Sequence, residues 1–272
     1  MNYKLIALDM DGTLLNSVHE ISDNTLSKIA AAFSIGKEIV LSTGRCLPEL
    51  KKYFSLIPNL RYVICCNGAL AYDVKEQKVI DSNPIPADKV AQILSAARDD
   101  EQVMVHFLSV DSIVEREKAC KMAFYAMGRH QEMFDQVTTK IDDIFQYFEA
   151  SPRSVEKINL YASTPAIQKY YSEKLIPCDL TIASAEGNSV ELTAAGVSKA
   201  SGLKMLCSSL HIPLSEVIAV GDSGNDIEML QAAGLALAME NATDAVKAVS
   251  DVIVPDCDHD GCAFAIENYL LH

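Results

Sequence analysis

Residues 5–13 read LIALDMDGT, a short apolar run followed by an acidic turn that contains a glycine. The run predicts a buried strand of a parallel sheet, and the Asp11-Gly12 pair predicts the turn that ends it. Ligands bind outside the carboxyl ends of such strands, so we expect Asp9 and Asp11 to lie at a functional site. Two carboxylates this close repel each other unless a cation lies between them, and oxygen ligands of this kind suit Mg²⁺.

Apolar runs alternate with helical patterns beyond this turn, which is typical of βαβ units around a parallel sheet. The first predicted helix begins at a cap residue, Ser22, and ends at Gly36. A β-hairpin is predicted over residues 69–83. The strands predicted for the sheet are 5–8, 38–42, 62–66, 189–193, 217–220, 235–239 and 252–254.

The pattern changes between Pro84 and Gly187, where helices and strands are mixed over about a hundred residues, enough for a small domain. We therefore predict an α/β protein with two domains. Residues 1–83 and 188–272 form the parallel α/β core, and residues 84–187 form an inserted α+β domain.

Three further segments carry groups that suit a phosphate and its counterion. The acidic loop 221–226 follows an apolar run and supplies more carboxylates for a shared cation. Thr43-Gly44 follows another run and offers a hydroxyl group and a close backbone approach. Lys199 follows Ser198, a predicted helix cap, where a cation opposes the helix dipole; if it points at the acidic loops, it is the cation that admits a phosphate.

Taken in this order, the segments resemble the motifs of the haloacid dehalogenase superfamily and, within it, the Cof-type sugar-phosphatase-like branch. The matching residues are Asp9-Met10-Asp11-Gly12-Thr13, Thr43, Lys199, Gly221-Asp222 with Asn225-Asp226, and Asn67-Gly68-Ala69. The resemblance covers essentially the whole chain and implies a Rossmann-like core with an inserted cap that sets substrate specificity. Cys257 and Ala200 depart from the pattern at positions that carry no catalytic group.

The resemblance implies a Mg²⁺-dependent phosphatase of small phosphorylated metabolites, such as sugar phosphates or phosphorylated cofactors, that works through an aspartyl phosphate. It makes Asp9 the nucleophile and Asp11 the general acid and base. It assigns Mg²⁺ to Asp9, the carbonyl group of Asp11, and Asp222. Phosphoryl oxygens are assigned to Met10, Thr43, Gly44, Lys199 and Asn225, and Asp226 is assigned the orientation of neighbouring groups.

Two other functions stay open for this sequence. A phosphomutase of the same fold would pass the phosphoryl group between positions of one substrate instead of to water. A non-catalytic, receiver-type module would hold phosphate on an aspartate as a signal. Asp11 argues against the module, because stored phosphate needs no general acid or base two residues past the phosphorylated position.

Composition limits the partners and the compartment. The chain has 23 basic and 37 acidic residues and a net charge of −14, which argues against nucleic acid and anionic membrane surfaces as partners. Its eight cysteines have no disulfide-framework spacing, so we expect reduced thiols in a soluble, cytoplasmic protein. The inserted domain carries no recognisable ligand code, and the oligomeric state is left open.

Overall fold

A computed structural model describes residues 3–185 and 187–272. They divide into two compact units. The core unit contains the described residues up to Gly44, Lys52–Ser82 and Ser198–His272, and the inserted unit contains Arg45–Lys51 and Asn83–Val197. No helix in the described residues is both long enough and apolar enough to cross a membrane.

Strands and helices alternate through the chain. The strands are β1 (Leu5–Leu8), β2 (Glu38–Ser42), β3 (Tyr62–Cys65), β4 (Leu70–Asp73), β5 (Lys78–Ser82), β6 (Val103–Leu108), β7 (Ser112–Glu115), β8 (Thr139–Ile141), β9 (Lys157–Ala162), β10 (Leu180–Ala185), β11 (Ser189–Ala194), β12 (Val217–Gly221), β13 (Leu235–Met239) and β14 (Val252–Val254). The helices are α1 (Asp23–Ser34), α2 (Leu47–Leu56), α3 (Ala87–Ala97), α4 (Arg116–Ala119), α5 (Gln131–Val137), α6 (Ile144–Ala150), α7 (Pro165–Lys174), α8 (Lys199–Leu210), α9 (Ile227–Ala232), α10 (Asp244–Ala248) and α11 (Gly261–Ala265).

The core unit is built on an eight-stranded sheet in the order β14-β13-β12-β1-β2-β3-β4-β5. Strands β14 to β3 are parallel, and β4 and β5 form the predicted antiparallel hairpin. All four residues of β1 are buried, as expected for a parallel strand covered on both faces. Because β1 lies between β12 and β2, the loops that follow these three strands share one edge of the sheet.

The inserted unit has its own six-stranded sheet in the order β10-β11-β9-β6-β7-β8, antiparallel except between β7 and β8. One face packs its apolar side chains, such as Val105 and Ile158, into a cluster with Ile93 of α3, Phe148 of α6 and Tyr171 of α7. A parallel core sheet with a second sheet domain is the fold class predicted from the sequence, which is thereby confirmed.

The prediction that residues 189–193 form a strand of the core sheet is wrong. β11 lies in the inserted unit, antiparallel between β10 and β9. Its alternate apolar residues, Val190 and Leu192, pack into the same cluster as Ile158. A short apolar run indicates that a strand is present but carries no information about its neighbour. The inserted unit therefore continues to Val197, and it also includes Arg45–Lys51.

Candidate active site

Apart from Lys199, the predicted functional residues of the core unit follow neighbouring strands of its sheet. Asp9 comes directly after β1, and its backbone N–H donates to the carbonyl group of Val220 in β12 at 3.1 Å. Asp222 comes directly after β12. Thr43 follows β2, and its N–H donates to the carbonyl group of Ile64 at 2.9 Å. The parallel topology thus brings residues that are far apart in sequence to one edge.

A buried ion cluster lies at this edge. The Lys199 ammonium group donates to Oδ1 of Asp9 and, at 2.6 Å, to Oδ1 of Asp226. Lys199 is 1% exposed, Asp9 5% and Asp226 0%. Charges this deeply buried are retained only when they are paired, so the three side chains depend on one another.

Lys199 is the first residue of α8. The helix cap fixes its position, but the helix dipole does not favour its positive charge. The preceding residue, Ser198, caps the helix, and a reciprocal pair of hydrogen bonds joins it to Ser201. A cation in the first turn opposes the helix dipole. The carboxylates of Asp9 and Asp226 therefore have to stabilise the ammonium group, and Lys199 does point at the acidic loops, which is the condition that its predicted role at phosphate requires.

Asp226 joins Lys199 to the loop that carries Asp222. One of its oxygens accepts from Lys199, and the other accepts from the backbone N–H groups of Asp222 at 3.1 Å and Ser223 at 3.0 Å. Both oxygens are thus engaged within the protein. This supports the predicted role in orienting neighbouring groups.

Asp222 is held against the first turn of the chain. Its Oδ1 accepts from the Thr13 hydroxyl group at 2.8 Å. Gly12 has a φ of +81°, and a Cβ atom there would lie 2.6 Å from Oδ2 of Asp222. Only glycine adopts this conformation readily and leaves that space. The DGT part of the opening motif therefore brings the two acidic loops into contact.

The side chains of the cluster have shifted pKa values, and the causes of the shifts differ. Burial raises the pKa of Asp9 well above its usual value; Lys199 opposes this shift, whereas Asp226 and Asp222 add to it. Burial also raises the pKa of Asp222. Burial alone would lower the pKa of Lys199, but attraction by Asp9 and Asp226 raises it, so the ammonium form is favoured.

The cluster has the chemistry of a divalent-cation site. Carboxylate oxygens of Asp9, Asp222 and Asp226 lie within 4.8 Å of one another. Three carboxylates and one ammonium group leave a formal charge of −2, which a divalent cation would neutralise. Oxygen-only ligands suit Mg²⁺ and Ca²⁺.

Asp11 has a different environment from these carboxylates. Its side chain is 49% exposed, lies outside the converging group, and has the Nδ1 atom of His19 at 3.9 Å from Oδ1. The metal ligand predicted at Asp11 is its backbone carbonyl group, so the position of the side chain does not test that prediction.

The remaining predicted phosphate-binding residues lie on the same three loops. Met10 is buried, and its carbonyl group accepts from the N–H of Leu15 at 2.8 Å. Gly44 follows Thr43 directly after β2, and Asn225 is an exposed residue of a single 3₁₀ turn after β12. Their contacts with phosphate remain predictions.

Two side chains that hold the site together were given no role by the sequence. One is Thr13, which was seen only as part of a motif. The other is Asn241, whose Nδ2 donates to the carbonyl group of Gly12 at 2.8 Å and whose Oδ1 accepts from the N–H of Cys257 at 3.1 Å. Asn241 comes two residues after β13, so a polar residue beyond the next strand of the sheet was the available signal.

An α/β sheet with a carboxylate–lysine cluster at the carboxyl ends of its strands defines an enzyme-like architecture. A family model described as haloacid dehalogenase-like hydrolase matches residues 6–266 of the chain. The chain belongs to this family, and the predicted superfamily and Cof-type branch are confirmed.

Similar proteins have named activities. The chain is 30% identical to the 5-amino-6-(5-phospho-D-ribitylamino)uracil phosphatase YbjI of Escherichia coli, over 100% of this chain and 98% of that protein. It is 26% identical to the pyridoxal phosphate phosphatase YbhA of the same bacterium, over 100% of both. It is similar to the structure of a haloacid dehalogenase-like hydrolase from B. subtilis, with a TM-score of 0.83 and 30% identity over 98% of this chain and 100% of that one. The predicted enzyme class, a phosphatase of this superfamily, is confirmed.

Proposed function

We propose that this protein is a Mg²⁺-dependent phosphatase that hydrolyses small phosphorylated metabolites through an aspartyl phosphate on Asp9. The observation that carries the proposal is the buried cluster in which Asp9, Asp222 and Asp226 converge around the ammonium group of Lys199. Relatives that act on a phosphoribityl compound and on pyridoxal phosphate support the substrate class.

Asp9 is the nucleophile in this mechanism. Its carboxylate attacks phosphorus, and the leaving group departs from the opposite side. The ammonium group of Lys199 lies on one oxygen of Asp9 and so reduces the repulsion between this carboxylate and an incoming phosphate. Burial keeps water from competing for the same position.

Asp11 exchanges the protons. It protonates the oxygen of the leaving group, and it later takes a proton from the water molecule that cleaves the aspartyl phosphate. A side chain that is 49% exposed suits this role, because it can exchange protons with solvent. Asp9 and Asp11 thus have separate tasks that match their separate environments.

The remaining residues bind and orient. Thr43, Lys199, Asn225 and the backbone of Met10 and Gly44 hold the phosphoryl oxygens. Asp9, the carbonyl group of Asp11, and Asp222 would hold Mg²⁺, which supplies charge neutralisation at the phosphate when bound.

We further propose that the inserted unit selects the substrate. Its chain leaves the core unit after β5 and returns at Ser198, one residue before Lys199. The two named relatives act on chemically different phosphates. Replacing Asn83–Val197 by a short linker should therefore raise the KM for the best natural substrate much more than the KM for a small aryl phosphate, provided that the core unit still folds.

The first experiment is hydrolysis of p-nitrophenyl phosphate with Mg²⁺ and after chelation, followed by a panel of sugar phosphates and phosphorylated cofactors. We expect activity with Mg²⁺, none with chelator, and recovery when the metal is returned. Asp88 is an exposed carboxylate of the inserted unit, and the Asp88→Asn variant should respond to Mg²⁺ and to chelator as the wild type does. Full activity in a metal-free preparation would contradict the proposal.

A further inference from the structure

We infer that Asn67 is a positioning residue for phosphate: it orients the Asn225 carboxamide so that an N–H group, and not the oxygen, is offered to the phosphoryl group. The inference rests on the proposed function, since the contact between Asn225 and phosphate belongs to it. Asn67 lies in a turn, Cys66–Gly68, that directly follows β3.

The backbone of this turn is unusual. Cys66, Asn67 and Gly68 have φ angles of +55°, +57° and +101°, so three consecutive residues adopt left-handed conformations. Such conformations are unfavourable for residues other than glycine, and asparagine tolerates them better than most. Left-handed conformations of this kind persist where contacts with the surrounding structure compensate for their cost.

The neighbours of this turn are segments of the candidate site. The N–H of Asn67 donates to the carbonyl group of Thr43 at 3.0 Å. A Cβ atom on Gly68 would lie 1.9 Å from the carbonyl oxygen of Ser198 and 3.1 Å from the backbone nitrogen of Lys199. The turn thus packs against the loop after β2 and against the start of α8 at the same time.

The Asn67 side chain reaches a third segment. Its Oδ1 accepts from Nδ2 of Asn225 at 3.4 Å, and Oδ1 of Asn225 accepts from the Ser223 hydroxyl group at 2.7 Å. In this arrangement Nδ2 of Asn225 faces Asn67 and Oδ1 faces Ser223, and the second N–H of Nδ2 has no acceptor in the described part of the chain. A hydroxyl group such as that of Ser223 can either donate or accept, so the carbonyl oxygen of Asn67 is the group that distinguishes the two orientations of the amide. If the amide were flipped, two carbonyl oxygens would face each other, which is unfavourable.

This contact is suited to orientation more than to stability. It joins an exposed side chain to one 158 positions away in the sequence, and a single exposed neutral hydrogen bond adds little to folding. Asn225 can bind an anion only through its N–H groups. Fixing the amide in advance removes a rotation that would otherwise be lost on binding.

The test is a double-mutant cycle on Asn67→Gly and Asn225→Ala. Glycine preserves the left-handed backbone and removes the side chain. We expect Asn67→Gly to weaken binding of inorganic phosphate in the presence of Mg²⁺, and to lower kcat/KM for p-nitrophenyl phosphate, by about 3- to 10-fold. In the Asn225→Ala background the same substitution should have no further effect.

Gln77→Gly is the matched control, because Gln77 is an exposed residue with a φ of +50° in the turn between β4 and β5. It should leave both measurements unchanged. Asn67→Ala removes the same side chain without added flexibility and must give the same coupling to Asn225 if the protein folds. Thermal unfolding of each variant shows which ones are folded.

An unchanged phosphate affinity in Asn67→Gly would overturn the inference, and so would an equal loss in both backgrounds. Phosphate binding is measured without turnover, so the role of Asn67 can be tested even if the protein hydrolyses no phosphate ester. A wild-type protein that binds phosphate and hydrolyses no phosphate ester contradicts the proposed function, and the cycle still decides the role of Asn67. A protein that binds no phosphate contradicts both.

Discussion

Each unit buries a basic side chain completely, His106 in the inserted unit and Lys199 in the core unit, but the two are left in opposite states of charge. In the inserted unit, the fully buried His106 lies 3.2 Å from the hydroxyl group of Tyr161 and 2.8 Å from that of Ser112. Burial, and then the charge of Lys157, lowers the pKa of His106 to about 3, and burial raises the pKa of Tyr161 well above its usual value. Both shifts favour the neutral form.

The core unit does the reverse at Lys199. Burial there acts against the ammonium form, yet the attraction of Asp9 and Asp226 outweighs it and raises the pKa. Neutral networks and charged clusters can be equally buried, so burial by itself does not distinguish a structural group from a functional one. Convergence of opposite charges, with carboxylates in excess, is the feature that marks the candidate site.

The largest effect is expected for Asp9→Asn. An amide is a far poorer nucleophile than a carboxylate, so turnover of p-nitrophenyl phosphate should fall by at least about 10³-fold. Asp88→Asn should retain full turnover, since it changes a carboxylate outside the cluster. If Asp9→Asn kept a substantial share of wild-type turnover, the charged cluster would be structural, like the network around His106.

Asp11→Asn should have the next largest effect. Loss of general acid and base catalysis should lower kcat by about 10² to 10⁴-fold. Mg²⁺ affinity should stay close to that of the wild type, because the proposed contact is the backbone carbonyl group. Calorimetry with Mg²⁺ checks the second point; a variant with normal kcat would assign proton transfer to another residue.

Thr13→Val tests the contact between the two acidic loops. It removes the hydroxyl group that donates to Asp222 at 2.8 Å while preserving the shape of the side chain. Hydrogen bonds to charged groups contribute about 1.5–3 kcal/mol, so Mg²⁺ affinity should fall by roughly 10- to 100-fold. An unchanged affinity would mean that Asp222 does not need this contact to bind the metal ion.

The last and smallest effect is expected for the stability of the inserted unit, measured as the change in its free energy of unfolding for each pH unit. Above pH 6.5, His106 is neutral in both the folded and the unfolded state. Between pH 6.5 and about 3, only the unfolded state takes up the proton, so the free energy of unfolding should fall by about 1.4 kcal/mol per pH unit.

His106→Asn should flatten this acid limb in thermal unfolding measurements, because it removes the titrating group. His211→Asn, a change at an exposed residue of the core unit, should leave the limb as it is in the wild type. An acid limb that is the same in His106→Asn and in the wild type would show that His106 is not buried in its neutral form.

Local patterns were enough to predict much of the fold. β1 and the turn after it follow from nine residues, because a fully apolar run and a Gly-containing turn are encoded nearby in sequence. β11 shows the limit of prediction from local patterns. Its apolar residues predict a strand, but its pairing with β9 and β10 depends on the burial of Val190 and Leu192 in the apolar cluster of the inserted unit.

The site was predicted in parts for a similar reason. The strand ends predicted Asp9 and Asp222 at one edge of the sheet, and the cap residue Ser198 predicted Lys199 in the first turn of a helix, without showing that Lys199 reaches the two carboxylates. That Asp226 binds Lys199 directly, and that Asn67 meets Asn225, depends on distances between segments that the sequence separates widely. Spacing along the chain contains no such distances.

The most direct test of Asp9 as the nucleophile is to identify the residue that receives the phosphoryl group. In Asp11→Asn the water that cleaves the intermediate lacks its base, so the intermediate should accumulate when the substrate has a good leaving group such as p-nitrophenol. Acid quenching, borohydride reduction of the acyl phosphate and peptide mass spectrometry then identify the modified residue. We expect modification of Asp9 that requires Mg²⁺ and is missing in the Asp9→Asn/Asp11→Asn double variant; a phosphoryl group on another residue would contradict the assignment of Asp9 as the nucleophile.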